Sequence, residues 1–404
     1  MPKSQENHKR STNDPSPRGP SPKFPCVAIK VNDIIGLMEN KRIVFLDYLR
    51  VIAIFMVMVV HCCEQFYFNG DGDFHIASAG DAFWVTFFDS AVRSCVPLFV
   101  MASAYLLFPV TKPTAVFLPR RILRVLVPFA VWTVIYTVAW KGDWGMLAFN
   151  FPMMTGGHLW FVPMIIGLYL LMPLLSPWAE KAGKREVVFW ICLWLVTTTF
   201  PFVRELWHRL YGEPIYGAIP YVWGECPWNA FGTFHYVSGF FGYLLLGLYF
   251  RRFATDSSWG KTLAKFVPLW LLGFLITAVP FYLRIPAPNG YPATAPYPAA
   301  VELEMSWGFC STGVALMAMS LFAIIRKFDF GGAFHRFVIR PLSEASFGVY
   351  LLHMLVLVEV VARLRDDMST PSTILVGALA TYSIASFVSL VIRRIPCVGK
   401  WICG

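Results

Sequence analysis

An all-α, polytopic transmembrane helical bundle of about ten spans, both termini cytoplasmic, is the fold predicted by three features of the sequence. Charged residues make up only 14% of the 404-residue chain and hydrophobic residues 57%, whereas a soluble domain carries about 25% charged residues. Several apolar stretches run to roughly 20 residues, enough for a helix to cross about 30 Å of hydrocarbon. The basic residues alternate from loop to loop. With the N-terminus inside, the inner segments hold 25 Lys and Arg and the outer ones six, as the positive-inside rule requires. Open strands would leave backbone polar groups unsatisfied in lipid, so helices follow.

In chain order, residues 1–40 are polar and Pro-rich (STNDPSPRGPSPKFP) and are expected to form a disordered cytoplasmic segment. Residues 41–395 form the membrane domain and 396–404 a short cytoplasmic tail. The spans are expected at 43–63, 85–108, 122–140, 158–178, 186–203, 231–250, 262–284, 302–325, 341–362 and 372–392. The first run is too long for a secretory signal, so no cleavage is expected. Outer loops at 204–230, rich in Trp, Tyr and Gly, and at 285–301, rich in Pro, complete the plan. The net charge of +10 is spread between apolar segments, a topology signal and no sign of a nucleic-acid partner. The cysteines in apolar segments read as small hydrophobes. No metal site is expected: GDGDF at 70–74 starts like a calcium loop, but its twelfth position is Ala82. No internal repeat marks an inverted-repeat transporter.

The first span, LDYLRVIAIFMVMVVHCCEQ, carries a polar line. Arg50 and His61 are separated by about 16 Å of helix rise and point within roughly 20° of each other. Asp47 and Glu64, each three residues away, share that face. Snorkelling of each group to its interface is one reading; a cavity or reaction site is the other. His61 suits a general base, Glu64 is placed to orient it, and Asp47 is either a helix cap or a counter-ion for Arg50. On the second span Asp89 and Arg93 are spaced to pair, with Arg93 at a depth near that of Arg50. FLPRRILRV adds Arg120, Arg121 and Arg124 in an inner loop, either as topology determinants or as a phosphate-holding cluster. His158 and Trp160 open the fourth span near the outer face. Trp207, Trp223 and Trp228 serve as belt anchors or sugar platforms. Glu302 and Glu304 either face an acceptor or cap the eighth span. His235 and His353 read as hydrogen-bonded packing histidines.

Together these segments resemble the acyltransferase type 3 family of integral-membrane acyltransferases. The likeness rests on LDYLR followed by His61 (an R-x10-H signature), RSCVPLFVMASAYLL, GHLWFVPMIIGLYLLMPLL, FFGYLLLGLYF and LSEASFGVYLLHMLVL, in order over about residues 42–390. The resemblance implies transfer of an acyl group, commonly acetyl, from cytoplasmic acyl-CoA to a hydroxyl of an extracytoplasmic glycan or lipid-linked sugar. The protein would then sit in the lipid bilayer of a bacterial inner membrane. It matches His61 to the essential histidine, and Arg50 and Arg93 to the arginines tied to donor binding. Arg120, Arg121 and Arg124 would hold the CoA phosphates, and Ser103 or Arg93 would steady the oxyanion. Ala104 departs from the family, which usually has Gly after the serine. An exporter of a lipid-linked sugar or anionic metabolite, or a sensor without catalysis, would use the same polar cavity.

Overall fold

The computed structural model describes residues 42–68, 73–140, 157–211, 232–295, 303–396 and 398–404. The N-terminal segment 1–40, residues 70–72 of GDGDF, Trp223, Trp228 and Glu302 lie outside the described residues. Among those described, nine helical stretches are long and apolar enough to cross a membrane. The chain is a multi-pass integral membrane protein. The first is α1, Val44–Glu64. The second, Ala79–Leu107, is divided into α2, Ala79–Val92, and α3, Cys95–Leu107. The division has a local cause: Pro97 has no N–H for the Arg93 carbonyl and its ring crowds that carbonyl. Arg93 therefore occupies the interruption, inside a span.

The third stretch is α4, Thr114–Ala139. It starts well before the expected residue 122, so Arg120, Arg121 and Arg124 lie on its first turns and not in a loop. A 3₁₀ turn, Gly157–Trp160, leads into α5, Phe161–Lys181. Then come α6, Lys184–Thr197, and α7, Phe200–Tyr211, so the expected outer loop at 204–230 begins as helix. The expected span at 231–250 is instead a 3₁₀ turn, Gly232–Val237, then Gly239 at φ +68°, then the 12-residue α8, Phe241–Arg252. At about 18 Å, α8 is too short to cross alone. The left-handed backbone at Gly239 interrupts the run, and its carbonyl accepts from the buried Trp194 indole at 2.8 Å. The remaining elements are α9, Trp259–Arg284, and a 3₁₀ turn, Glu304–Trp307, leading to α10, Thr312–Ile325. A π turn, His335–Ile339, then leads to α11, Arg340–Leu364, followed by α12, Thr370–Arg393, and the short α13, Gly399–Cys403.

The helix α1 is enclosed, packed by α2, α3, α11 and α12, while α9 turns much of its surface outward and packs along α10. Without a hydrophobic driving force between helices in lipid, close contacts depend on small residues. Gly247 of α8 is one such contact: a Cβ there would stand 2.5 Å from the Ala104 Cβ and 2.8 Å from the Met101 carbonyl. The methyl of Ala104 therefore meets the glycine of FFGYLLLGLYF and is fully buried. The departure from the family pattern is absorbed at a helix contact. A small antiparallel ribbon, β1 (Phe74–Ile76) with β2 (Ala293–Ala295), lies beyond the end of α1. Part of the Pro-rich loop at 285–301 is thus a strand.

Candidate active site

At one end of α1, His61 donates from Nδ1 to the Glu64 carboxylate at 2.5 Å. The three-residue spacing on one helix makes this pairing local. A carboxylate only accepts, so the neutral ring keeps its Nε2 as a bare lone pair. Both side chains are partly exposed, 15% and 23%.

Two further histidines close on His61. The ring of His353, from α11, lies 5.0 Å from it and that of His158, from the 3₁₀ turn, 6.4 Å; the two are 5.2 Å apart. Hydrogen bonds between elements hold this arrangement. Tyr350 of α11 donates to the His158 carbonyl at 2.7 Å, and Tyr136 of α4 donates to the Leu351 carbonyl at 2.9 Å. The Tyr136 ring lies edge-on to His158 at 4.7 Å. His353, expected to be a packing histidine, is fully buried yet stands against His61. His235, also expected to pack, is exposed and lies beside Tyr236. Trp160 lies 5.2 Å from Phe309 and lines an apolar cavity of about 450 Å³ with Phe240, Met305 and Pro201.

Behind Glu64 stands Arg93, within reach of its field. Its guanidinium pairs with both oxygens of Asp89, at 2.6 and 2.8 Å, and donates to the Tyr67 hydroxyl at 3.1 Å. Glu304 lies 3.6 Å away and the Trp307 ring 4.5 Å. Tyr67 in turn donates to Glu304 at 2.7 Å, and burial holds its phenol well above the usual tyrosine range. The i, i+4 pairing expected of Asp89 and Arg93 is present. These partners enclose Arg93 at 5% exposure; the family likeness ties this residue to donor binding.

At the other end of α1, Arg50 keeps 32% of its side chain exposed and lies 3.6 Å from Asp47. Asp47 is a buried hub that accepts from Ser343 at 2.8 Å and meets His335 Nε2 at 3.0 Å. It is thus a counter-ion and not a cap. The π turn carries His335 to this position, and no periodicity in the sequence announces it. Arg50, Arg121 and Arg124 gather electrostatically around Tyr169 of α5, which also faces Ser103. Ser103 follows Arg93 by ten residues, about 15 Å of rise. It lies toward the arginine end, beside Tyr169, although a place next to an oxyanion at His61 was expected of it. Arg120 is exposed.

The site thus has a bare imidazole nitrogen at one end and a group of arginines at the other, about 16 Å apart along one helix. No curated protein matches the chain, and no solved structure does. A family model described as an acyltransferase domain matches residues 43–392, nearly the whole membrane portion. The chain belongs to the acyltransferase type 3 family and is a membrane acyltransferase.

Proposed function

We propose that the protein transfers an acyl group, acetyl in the first instance, from cytoplasmic acyl-CoA to a hydroxyl of an extracytoplasmic glycan or lipid-linked sugar, with His61 as general base. The observation that carries this reading is the His61–Glu64 pair, which fixes the tautomer and leaves Nε2 ready to take a proton. Donor phosphates bind Arg121 and Arg124, with Arg120 at the rim, and the pantetheine arm runs past Arg50 and Tyr169. That arm is comparable in length to the separation of Arg50 from His61. At His61 the acceptor hydroxyl loses its proton as its oxygen attacks the thioester carbonyl, and CoA leaves. Base catalysis of this kind contributes typically 10²–10⁴-fold. Arg93 and Asp89 act through Glu64 by holding charge behind it, while His158 and Trp160 form the acceptor-side wall.

The test uses membranes containing the protein and radiolabelled acetyl-CoA, with the glycan and lipid fractions analysed by mass spectrometry. Wild-type membranes should gain one acetyl mass on an alkali-labile ester, and His61→Ala membranes should not. Acetylation retained in His61→Ala removes His61 from the chemistry; no label transfer by the wild type removes acetyl-CoA as donor.

A further inference from the structure

Two aspartate–arginine pairs lie on neighbouring spans, and they differ. Asp89 gives both carboxylate oxygens to Arg93, at 2.6 and 2.8 Å. Arg50 Nη1 instead stands 3.6 Å from Asp47 Oδ1, beyond hydrogen-bond distance. Reach does not set that separation, since the shorter His61 side chain meets Glu64 at 2.5 Å across the same three-residue spacing. Other donors already serve the Asp47 carboxylate. Ser343 of α11 donates to Oδ1 at 2.8 Å, and His335 Nε2 lies 3.0 Å from Oδ2. A carboxylate only accepts, so His335 Nε2 carries the hydrogen. The His335 ring is stacked on Tyr48 with centroids 5.9 Å apart, and the Tyr48 hydroxyl donates to the Phe330 carbonyl at 2.9 Å. The π turn that brings His335 here is a rare element, and such turns concentrate at functional sites.

We infer that His335 and Ser343 are positioning residues for the donor: by serving both oxygens of Asp47 they keep Arg50 from closing on it, so that the guanidinium stays accessible to acyl-CoA. This rests on the proposed reading of Arg50 as a donor-binding residue. An arginine presents its N–H donors as a fixed planar fork, which a carboxylate lacking other partners takes up through both oxygens, as Asp89 does with Arg93. Asp47 is 1% exposed, so its charge must be paired or hydrogen-bonded. Removing the His335 donor leaves a buried oxygen short of a partner, a costly state. Arg50 is a cation within reach of that oxygen's carboxylate. Its guanidinium would then turn to Asp47, and acyl-CoA would have to compete for it. With both donors in place, Asp47 balances the charge of Arg50 without drawing it in.

Binding of acetyl-CoA to the full-length protein in nanodiscs, followed by titration calorimetry, tests this without an acceptor. His335→Leu should weaken binding about fivefold, and His335→Gln, whose amide nitrogen can still donate to Oδ2, should stay within about twofold of wild type. Adding Asp47→Asn to His335→Leu should bring affinity back to within about twofold of wild type, because the competing carboxylate is gone. Ser343→Ala acts on the other oxygen and should weaken binding about threefold, with the same rescue by Asp47→Asn; it carries the test if His335→Leu does not fold. A loss in His335→Leu that His335→Gln shares, or that Asp47→Asn deepens, would assign His335 to holding the π turn and overturn the inference. Weakened binding in Arg50→Ala beside wild-type affinity in both His335→Leu and Ser343→Ala refutes this inference alone. Wild-type affinity in Arg50→Ala refutes the reading beneath it.

Discussion

At the histidine end of α1, Arg93 is 5% exposed and held by Asp89, Tyr67 and Glu304; at the other end, Arg50 keeps a third of its side chain exposed, with Arg124 exposed nearby around Tyr169. The same residue type thus serves two purposes in one bundle. An enclosed arginine with two carboxylates is a fixed charge that stiffens its surroundings. An exposed group of arginines is a surface on which phosphates can exchange counter-ions. Sequence spacing alone made Arg50 and Arg93 look alike, since it puts them at similar depths in adjacent spans. Their surroundings separate them.

Breaking the enclosed network should have the largest effect. Asp89→Asn removes the carboxylate that pairs with Arg93 through both oxygens and leaves Glu304 at 3.6 Å and the Tyr67 hydroxyl, and removing one member of a buried pair costs about 3–5 kcal/mol. Thermal unfolding in detergent should show a sharply destabilised protein, and Asp89→Leu with Arg93→Leu should recover much of the loss. If Asp89→Asn alone is as stable as wild type, the network is not what fixes this end. Smaller is the effect of Gly247→Ala, whose new Cβ would press on Ala104 and the Met101 carbonyl. Overpacking of this sort costs about 1–3 kcal/mol. Adding Ala104→Gly should restore part of it, and equal stability of the single and double variants would show that the two helices give way elsewhere. Smallest in energy is the arginine end. Arg121→Ala with Arg124→Ala should weaken acetyl-CoA binding by about tenfold, roughly 1.4 kcal/mol, in a salt-dependent manner. Titration calorimetry at two salt concentrations reads this, and an unchanged affinity moves the donor away from α4.

Much of one helix was legible from its letters. The shared face of Asp47, Arg50, His61 and Glu64 follows from the helical repeat, and both local pairs, Asp89–Arg93 and His61–Glu64, are present. What was not legible depends on how helices are rotated against one another. His61, His158 and His353 lie on three elements far apart in the chain, and periodicity describes one helix at a time. His335 reaches Asp47 only because a π turn shifts its register. Ser103 shares a span with Arg93, so the sequence left open which end it serves. The expected span at 231–250 was read from apolar letters alone, which do not reveal that Gly239 takes a left-handed conformation.

In the proposed reaction the two ends of α1 divide the work, donor binding at Arg50 and chemistry at His61. Measuring acetyl-CoA affinity and acetyl transfer together, on purified wild type, His61→Ala and Arg50→Ala, tests it most directly. His61→Ala should bind acetyl-CoA within about twofold of wild type while transfer falls by at least about 10²-fold, and Arg50→Ala should bind it about tenfold more weakly. A His61→Ala protein that still transfers acetyl, or an Arg50→Ala protein whose affinity is unchanged, would contradict it.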